Sequence, residues 1–325
     1  MSNIHLILQA KGGVGKSVSA WALSQYLVDR AAQRYWHEKS AGERATKNES
    51  PAVLSEDDSD VPLGAEFDPE VSYLETPRAP LDAATMPLLI DIDPLNSTLD
   101  SFKDLPVRRF ELFKETEDLA ERYIVQQEVF DEMMDAILSS KNDVIIDIGS
   151  AGFAPFCSYF IENQLPKFLE ERVPGRKNRV YIHTVIVGGD NFTTTLTGFS
   201  DLAEQMPIQH NPAKKSSAPI KFIIWLNPYF GKVELNGQGF EDTTNYQNYK
   251  SRIQGIIRMP DTRSKQLFNA AMTACLAHRW TFREFIENGL NPKTKAEYHL
   301  STMSVSRIVT IREEFYAEFD AMRIL

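Results

Sequence analysis

The sequence predicts an α/β protein whose sheet is mostly parallel, twisted and covered by helices on both faces. Three observations predict this fold. Short apolar runs alternate along the chain with longer segments of helical periodicity. The apolar runs are nearly continuous, which is typical of strands buried on both faces of a parallel sheet. A glycine-rich turn at residues 11–17 separates the first strand from the first helix, as in the strand–loop–helix units of such sheets.

The predicted elements follow one another in a regular order. Apolar runs predict strands at residues 4–8, 87–92, 143–148, 180–187 and 221–226, with a shorter strand at 253–257. Helical periodicity predicts helices at residues 16–31, 116–138, 193–205 and 264–277. Residues 302–322 carry apolar side chains at three- to four-residue spacing, which predicts a C-terminal helix packed on the body: Val305, Ile308, Ile311, Phe315, Phe319 and Met322. Because its polar face is acidic, core packing is favoured over binding to an anionic membrane.

One stretch of the first half does not fit this alternation. The net charge of −10 comes from residues 1–150, which hold 14 Lys+Arg and 28 Asp+Glu, whereas residues 151–325 hold 21 and 17. Residues 49–82 alone contain ten acidic residues, one arginine and five prolines. Such a composition has too little apolar surface to offset the entropy of ordering. We therefore predict one domain over residues 1–325, interrupted by an acidic, flexible insertion at residues 33–84.

The cysteines and the N-terminal segment indicate the cellular compartment of the protein. Cys157 and Cys275 are far apart and form no CxxC pair, so we predict two buried thiols and neither a disulfide framework nor a zinc ribbon. The N-terminus is a short apolar strand without a basic flank, and no apolar run approaches the ~18 residues of a membrane span. We expect a cytoplasmic protein without stable membrane insertion.

The glycine-rich turn, "KGGVGKS" at residues 11–17, has the chemistry of a phosphate-binding loop. Glycines let the backbone turn its N–H groups inward and let a phosphate approach without meeting a Cβ. The helix that begins near Lys16 adds its positive N-terminal end. Lys16 can then reach the β- and γ-phosphates, and the Ser17 hydroxyl is placed for Mg²⁺. The predicted cofactor-binding residues of the loop are Gly12, Gly13, Val14, Gly15, Lys16, Ser17 and Val18.

Acidic residues end two of the later strands. Asp91 and Asp93 stand in "PLLIDIDPLN", and Asp147 ends the strand in "DVIIDIGS". Alternate residues of a strand face the same way, so Asp91 and Asp93 can point at one site. Capping of strand ends is the alternative. The order of three such acids behind a phosphate loop favours a site for a metal ion and a water molecule.

Asn227 ends another strand and is a candidate for recognition of a base. It follows the buried run of "IKFIIWLNPYFG", and its amide can both donate to and accept from an adenine edge. The alternative is a turn-forming asparagine before Pro228, which is common on its own.

The two lysines of the loop carry a family resemblance. K-G-G-x-G-K-[ST] is the deviant phosphate loop of the ParA/MinD ATPases, and this chain resembles that family, although Ala10 stands where the general phosphate loop has its first glycine. The resemblance implies a P-loop NTPase fold of the SIMIBI (ParA/MinD) type, ATP and Mg²⁺ as cofactors, and slow ATP hydrolysis. It also implies an ATP-dependent homodimer in which Lys11 contacts the phosphates bound by the other subunit. A cation supplied in this way makes hydrolysis depend on assembly.

The resemblance also implies a role for each strand-end acid. Asp91 and Asp147 would hold Mg²⁺ largely through water, together with Ser17, and Asp93 would orient the attacking water. The implied catalytic residues are then Lys11, Lys16 and Asp93. One departure concerns the segment after Asp147, where many members of the family have Thr-Pro and this chain has Ile-Gly-Ser. The second switch loop is therefore expected to move differently here.

On the side of the base, the resemblance implies two contacts. Asn227 corresponds to an asparagine that contacts adenine in the wider family, and Arg258 lies in the second loop on the nucleotide side. The choice between ATP and GTP stays open, because an asparagine at this position is weaker evidence than a guanine-reading aspartate motif.

Longer motifs narrow the resemblance to one branch. "IDIDPLNSTLDSFK", "DVIIDIGSAGFAPFCSYFIENQLP" and "IIWLNPYFG" are similar to the TraL-like proteins of plasmid conjugation systems, which are related to StbB-like plasmid-stability proteins. The similarity runs through most of the chain outside residues 33–84. It implies a nucleotide-driven switch that assists conjugative DNA transfer or maintenance of a mobile element. The implied partner is a conjugation, relaxosome or partition protein.

Two other classes of function stay open. A ParA-like partition ATPase would bind DNA nonspecifically, and residues 214–295 hold thirteen basic and six acidic residues. A solvated surface of mixed charge accounts for the same counts. A metabolic relative, either an amide ligase or an iron–sulfur reductase component, is the third reading, and its iron–sulfur version requires two suitably placed cysteines.

Overall fold

The structure, a computed structural model, describes residues 3–46, 76–82, 84–93, 98–113, 125–165, 168–169, 179–206 and 220–322. Within these ranges no helix is both long enough and apolar enough to cross a membrane.

Seven parallel strands form the central sheet: β1 (Asn3–Ile7), β2 (Leu88–Asp91), β3 (Val107–Arg109), β4 (Val144–Asp147), β5 (Arg179–Val187), β6 (Ile220–Asn227) and β9 (Ile253–Arg258). They lie in the order β3-β2-β4-β1-β5-β6-β9, and every neighbouring pair is parallel. A separate antiparallel hairpin consists of β7 (Glu234–Leu235) and β8 (Gln238–Gly239). The predicted α/β class with a parallel sheet is confirmed.

The edge strand β3 is the part of the sheet that the sequence did not predict. It has three residues, and the side chains of Arg108 and Arg109 are exposed. A strand this short and polar lacks the apolar run that marked the other strands. Its parallel pairing with β2, which sets Arg109 opposite Asp91, is a tertiary feature.

Nine helices are described around the sheet: α1 (Lys16–Thr46), α2 (Glu128–Ser139), α3 (Phe153–Glu162), α4 (Phe192–Gln205), α5 (Thr244–Tyr249), α6 (Gln266–Ala277), α7 (Phe282–Leu290), α8 (Pro292–Glu297) and α9 (Thr302–Met322). The C-terminal helix is confirmed, and its six predicted apolar residues are all buried. The sequence did not predict α3 or the short helices α5, α7 and α8.

Two predicted helix boundaries were wrong. Of the helix predicted at residues 116–138, the described helix covers Glu128–Ser139, and residues 125–127 before it are not helical, since Val125 pairs with Phe113 in an antiparallel bridge; residues 114–124 lie outside the described ranges. Helix α1 was predicted to end near residue 31 but continues to Thr46. Ala31 and Ala32 are buried against later residues of the chain, which supports the extra turns.

Each face of the sheet has its own apolar core. Helices α1, α6, α7 and α9 cover one face, where Trp21, Trp225 and Phe315 belong to a single buried cluster. Helices α2, α3 and α4 cover the other face, where Phe130 and Phe156 lie in a second cluster. Helices on both faces of a parallel sheet satisfy the burial requirement of its strands.

The described ends of the predicted insertion are held against the body. Residues 33–46 belong to α1, and residues 76–82 return along it: Trp36 donates to the carbonyl of Pro77 at 2.8 Å. Arg78 forms ion pairs with Asp104 and Glu287. The described ends of the stretch 33–84 are thus helical or in contact with the body, and the insertion itself stays a prediction. Residues 47–75 and 83, on which most of that prediction falls, lie outside the described ranges.

A chain of buried polar rings crosses the sheet beneath α1 and α9. The Trp225 indole N–H donates to His183 Nδ1 at 2.9 Å, and His183 Nε2 lies 2.9 Å from His5 Nδ1. Because an indole can only donate, His183 must carry its proton on Nε2 and donate it to His5. Burial lowers the pKa of His5 from 6.5 to about 3 and holds the pKa of His183 well below 6.5, with the charge of His5 adding to the second shift.

These two histidines predict loss of stability in mild acid. Their pKa values are lowered in the folded state, so the unfolded chain binds more protons below 6.5, and stability falls from about pH 6.5 towards pH 3. Each histidine contributes a slope of up to roughly 1.4 kcal/mol per pH unit. We expect His5→Gln to reduce the loss of unfolding free energy between about pH 7.5 and about pH 5.5, measured by urea denaturation. Replacement of the exposed His37 by Gln is the matched control, and equal slopes in both variants would contradict the prediction.

Candidate nucleotide-binding site

Most of the predicted site residues lie close together at the carboxyl edge of the sheet. Strand β1 lies between β4 and β5, and the connections run to one side of β1 early in the chain and to the other side later. In open parallel sheets, ligands bind in the crevice where the connections change direction. The loop after β1 and the end of β4 lie at this point, and Asn227 at the end of β6 reaches the loop through its side chain.

The glycine-rich loop turns sharply between β1 and α1. Gly13 and Gly15 have φ of +71° and +103°, which residues with a Cβ rarely adopt. The helix begins at Lys16, as predicted, and Ser19 N–H donates to the carbonyl of Gly15 at 3.0 Å to close the first turn. Its first N–H groups therefore face the loop, which is the geometry that binds anions.

Lys16 is held inside the loop. Its side chain is 7% exposed, and its ammonium donates to the backbone carbonyl of Lys11 at 2.9 Å. An ammonium has three N–H donors, so two remain for phosphate oxygens. Burial lowers the pKa of Lys16, while Asp147 and Asp93 act in the opposite direction. The lysine is thus positioned before any ligand arrives.

Asp147 is a buried carboxylate without its full set of partners. It is 1% exposed, and Oδ2 has no hydrogen-bond partner among the described residues. Burial raises the pKa of Asp147 to about 7, and repulsion from Asp91 and Asp93 adds to the rise, while Lys16 and a hydrogen bond from Ser17 oppose it. A cation beside Oδ2 would compensate this buried charge.

Asp91 lies next to Asp147 and organises the segment that follows β2. The two residues are paired in register on neighbouring strands. Asp91 accepts the backbone N–H of Asp93 at 2.9 Å through Oδ1 and that of Asp100 at 3.1 Å through Oδ2. Its described contacts therefore brace the turn that carries Asp93.

Asp93 lies close to Gly149, the second residue after β4, where the resembled family often has Thr-Pro and this chain has Ile-Gly-Ser. A Cβ on Gly149 would lie 2.2 Å from Cγ of Asp93, so only glycine fits there with Asp93 in this position. The neighbouring Ser150 hydroxyl lies 3.5 Å from the place of a Cβ on Gly12. The Gly149–Ser150 segment thus packs between the Asp93 turn and the phosphate loop.

This contact predicts the effect of Gly149→Ala. We expect the new methyl group to overpack the site and lower the free energy of unfolding by roughly 1–3 kcal/mol. The loss should shrink when Asp93→Ala is added, because the clashing carboxylate is then gone. Urea denaturation measures both, with Gly198→Ala in α4 as the control, since a Cβ there meets Gln9 at an ordinary 3.7 Å. Full stability of Gly149→Ala alone would contradict the packing.

Beside the phosphate loop lies a cavity of about 250 Å³. Gly13, Gly15 and Val18 form its wall on the loop side. Its remaining walls come from the segment after β6, the segment after β9 and one face of α6, with Phe315 from α9: Asn227, Tyr229, Phe230, Met259, Pro260, Thr262, Asn269, Met272, Thr273 and Leu276. Pockets that enclose a drug-sized ligand are typically 300–1,000 Å³, so this cavity suits a fragment such as a purine base.

Asn227 connects β6 to the phosphate loop. Its Nδ2 donates to the carbonyl of Val14 at 2.9 Å, and its Oδ1 accepts the N–H of Tyr229 at 3.0 Å. A Cβ on Gly15 would lie 2.8 Å from the same Nδ2. The turn-forming alternative from the sequence is therefore observed, together with a contact to the loop that sequence reasoning missed. Recognition of adenine by Asn227 stays a prediction.

Arg258 is not brought to the loop. Its guanidinium pairs with Glu241 at 2.9 Å, and its backbone N–H donates to Glu318 at 3.0 Å. The next two residues, Met259 and Pro260, line the cavity instead. A nucleotide contact by the Arg258 side chain has no support from these contacts.

The residues present fit a magnesium ion. Ser17 and Asp147 supply a hydroxyl and an unsatisfied carboxylate oxygen, both hard oxygen ligands. No group of three or more His, Cys, Asp or Glu within the described ranges is arranged to bind a metal directly. Mg²⁺ usually keeps several waters and binds through one or two carboxylates and substrate phosphates, so a direct protein cage is not required.

Comparison with known proteins gives two relatives of the same name. The chain is similar to two Escherichia coli proteins, each named Protein TraL, and is 28% identical to each over 325 residues, which is the whole of both chains. These relatives support the predicted TraL-like resemblance. No family model matches the chain, and no solved structure matches it.

Proposed function

We propose that this protein is an ATP-binding, slowly ATP-hydrolysing switch that dimerises with ATP and assists conjugative DNA transfer or maintenance of a mobile element. The observation that carries the proposal is the position of Lys16. It lies buried in a glycine loop at the crevice of a parallel sheet, beside a buried Asp147 whose Oδ2 has no described partner.

Different groups of the chain would bind the phosphates, the Mg²⁺ ion, the attacking water and the base. Loop N–H groups and the two remaining N–H donors of Lys16 would hold the phosphates. Ser17 and Asp147 would hold Mg²⁺, which neutralises charge on the phosphates when it is bound. Asp93, whose backbone N–H donates to Asp91 and whose carboxylate lies close to Gly149, would orient the attacking water. The cavity beside the loop would take the base.

Calorimetric titration tests the nucleotide proposal. Nonhydrolysable ATP should bind the full chain in the presence of Mg²⁺, and binding should weaken when Mg²⁺ is chelated, because Asp147 then regains an uncompensated charge. Light scattering on a sizing column should show the mass doubling with the same nucleotide. Absence of binding with and without Mg²⁺ would overturn the proposal.

The conjugative role rests on the resemblance. The motifs around the loop and strand ends are similar to those of TraL-like proteins of conjugation systems, and full-length similarity to two proteins named TraL supports it. Transfer frequency of a plasmid that lacks its own copy of this gene, complemented with wild-type or Lys16→Ala protein, tests the role. Equal transfer frequencies with the two proteins would mean that the role in transfer does not require nucleotide binding.

The other classes receive less support. Several basic residues of the 214–295 region are paired with acids, among them Arg258 with Glu241 and Lys265 with Glu314, which reduces the charge left for DNA. Burial raises the pKa of Cys157 to about 12 and raises that of Cys275 well above its usual value. Thiolates are the form that binds iron, so these cysteines disfavour the iron–sulfur reading. DNA binding that appears only with ATP and weakens with salt would favour the ParA-like partition ATPase instead.

A further inference from the structure

The cavity beside the phosphate loop contains a second asparagine whose position differs from that of Asn227. Asn269 lies in the first turn of α6, and its side chain is half-buried at the cavity. Its backbone N–H donates to Lys265, and its carboxamide makes no hydrogen bond to another described residue. Asn227, in contrast, has each end of its carboxamide engaged with the backbone.

The side of α6 that carries Asn269 lines the cavity and is largely apolar. Residues 269, 272, 273 and 276 all line the cavity, and this spacing puts them on one face of a helix. Met272 and Leu276 give that face an apolar surface on which a flat ring can lie. Met259 and Pro260 approach from the segment after β9. Asn269 is therefore a polar group set within an otherwise largely apolar wall, which is how small-molecule sites fix orientation.

We infer that Asn269, rather than Asn227, reads the edge of the base, and that this base is adenine. The inference rests on the proposed nucleotide function and deepens it. A carboxamide offers one acceptor and two donors, which matches the paired donor and acceptor of an adenine edge. Guanine presents two adjacent N–H donors on its pairing edge, and a carboxylate satisfies these best. None of the described residues that line the cavity is acidic.

Asn227 then acts as a positioning residue. Turning its carboxamide toward a base would break the bonds to Val14 and Tyr229, and the loss of the buried bond to Val14 costs free energy because the groups it joins lose a partner away from water. Its contacts fix the shape of the phosphate loop and the start of the Tyr229 turn. Substitution of Asn227 should therefore affect phosphate binding, whereas substitution of Asn269 should affect base recognition.

Competition between ATP, GTP and inorganic tripolyphosphate tests this division. Tripolyphosphate carries the phosphates without a base, so Asn269→Ala should leave its affinity unchanged while weakening ATP about tenfold or more. Asn269→Asp should shift the preference toward GTP. Asn227→Ala should weaken ATP and tripolyphosphate alike. Gln266→Ala, which removes an exposed carboxamide from the same helix, is the matched control and should change none of these affinities.

The outcomes are distinguishable. If wild-type protein binds ATP and Asn269→Ala binds ATP and GTP as the wild type does, this inference is overturned and the nucleotide function stands. If wild-type protein binds neither ATP nor tripolyphosphate, both the proposed function and this inference are overturned. Circular dichroism of each variant establishes that a loss of affinity is not a loss of fold.

Discussion

Lys16→Ala should abolish measurable ATP binding. The lysine is buried in the glycine-rich loop, and its ammonium already donates to the Lys11 carbonyl. Hydrogen bonds from a charged group contribute about 1.5–3 kcal/mol each. Loss of two such contacts to phosphate oxygens corresponds to binding weaker by roughly 100-fold or more. Calorimetric titration of nonhydrolysable ATP with Mg²⁺ measures the change.

The same substitution acts on Asp147. Lys16 opposes the rise in the pKa of this buried carboxyl, so its removal should raise that pKa further. The expected cost in folding is modest, because a protonated Asp147 no longer carries an unpaired buried charge. Lys103→Ala, an exposed lysine away from the loop, is the control. ATP binding of Lys16→Ala at wild-type affinity would contradict the role assigned to the loop.

Local patterns predicted the sheet and the glycine-rich turn because each is encoded within a short stretch. Glycines 13 and 15 adopt the positive φ that their position in the loop suggested. The apolar runs gave six of the seven strands, and only β3 was missed because it is three residues long and polar. The strand-end acids follow from the same runs, since parallel strands end at a common edge.

Contacts between distant residues were not predictable in the same way. The Asn227 side chain meets the carbonyl of Val14 across 213 positions of the chain, and Gly149 meets Asp93 across 56. A single sequence shows an asparagine before a proline and a glycine after a strand, both ordinary turn signals. Which group each one touches depends on how the strands are ordered in the sheet. Asn269 gave no motif signal at all, and only the helix face on which it lies identifies it.

The backbone of Lys11 and its side chain have different roles, and this makes the dimer proposal testable. The carbonyl of Lys11 accepts the Lys16 ammonium at 2.9 Å, whereas the Lys11 ammonium forms no ion pair with a described residue. Truncation of the side chain leaves the carbonyl in place. Lys11→Ala should therefore preserve the geometry of Lys16 and the monomer's affinity for ATP.

What Lys11→Ala should remove is the nucleotide-dependent dimer. In the proposed dimer, a second subunit would bring another set of phosphates towards the loop, and the Lys11 ammonium would neutralise part of their charge only when the two subunits meet. We expect light scattering with nonhydrolysable ATP to show a dimer for the wild type, a monomer for Lys11→Ala, and partial recovery for Lys11→Arg, which keeps the charge. Equal ATP affinity of the wild type and Lys11→Ala by calorimetry would establish that assembly alone is lost. Unchanged dimers in Lys11→Ala would mean that the charge is not shared between subunits, and hydrolysis would then have to be complete within one chain.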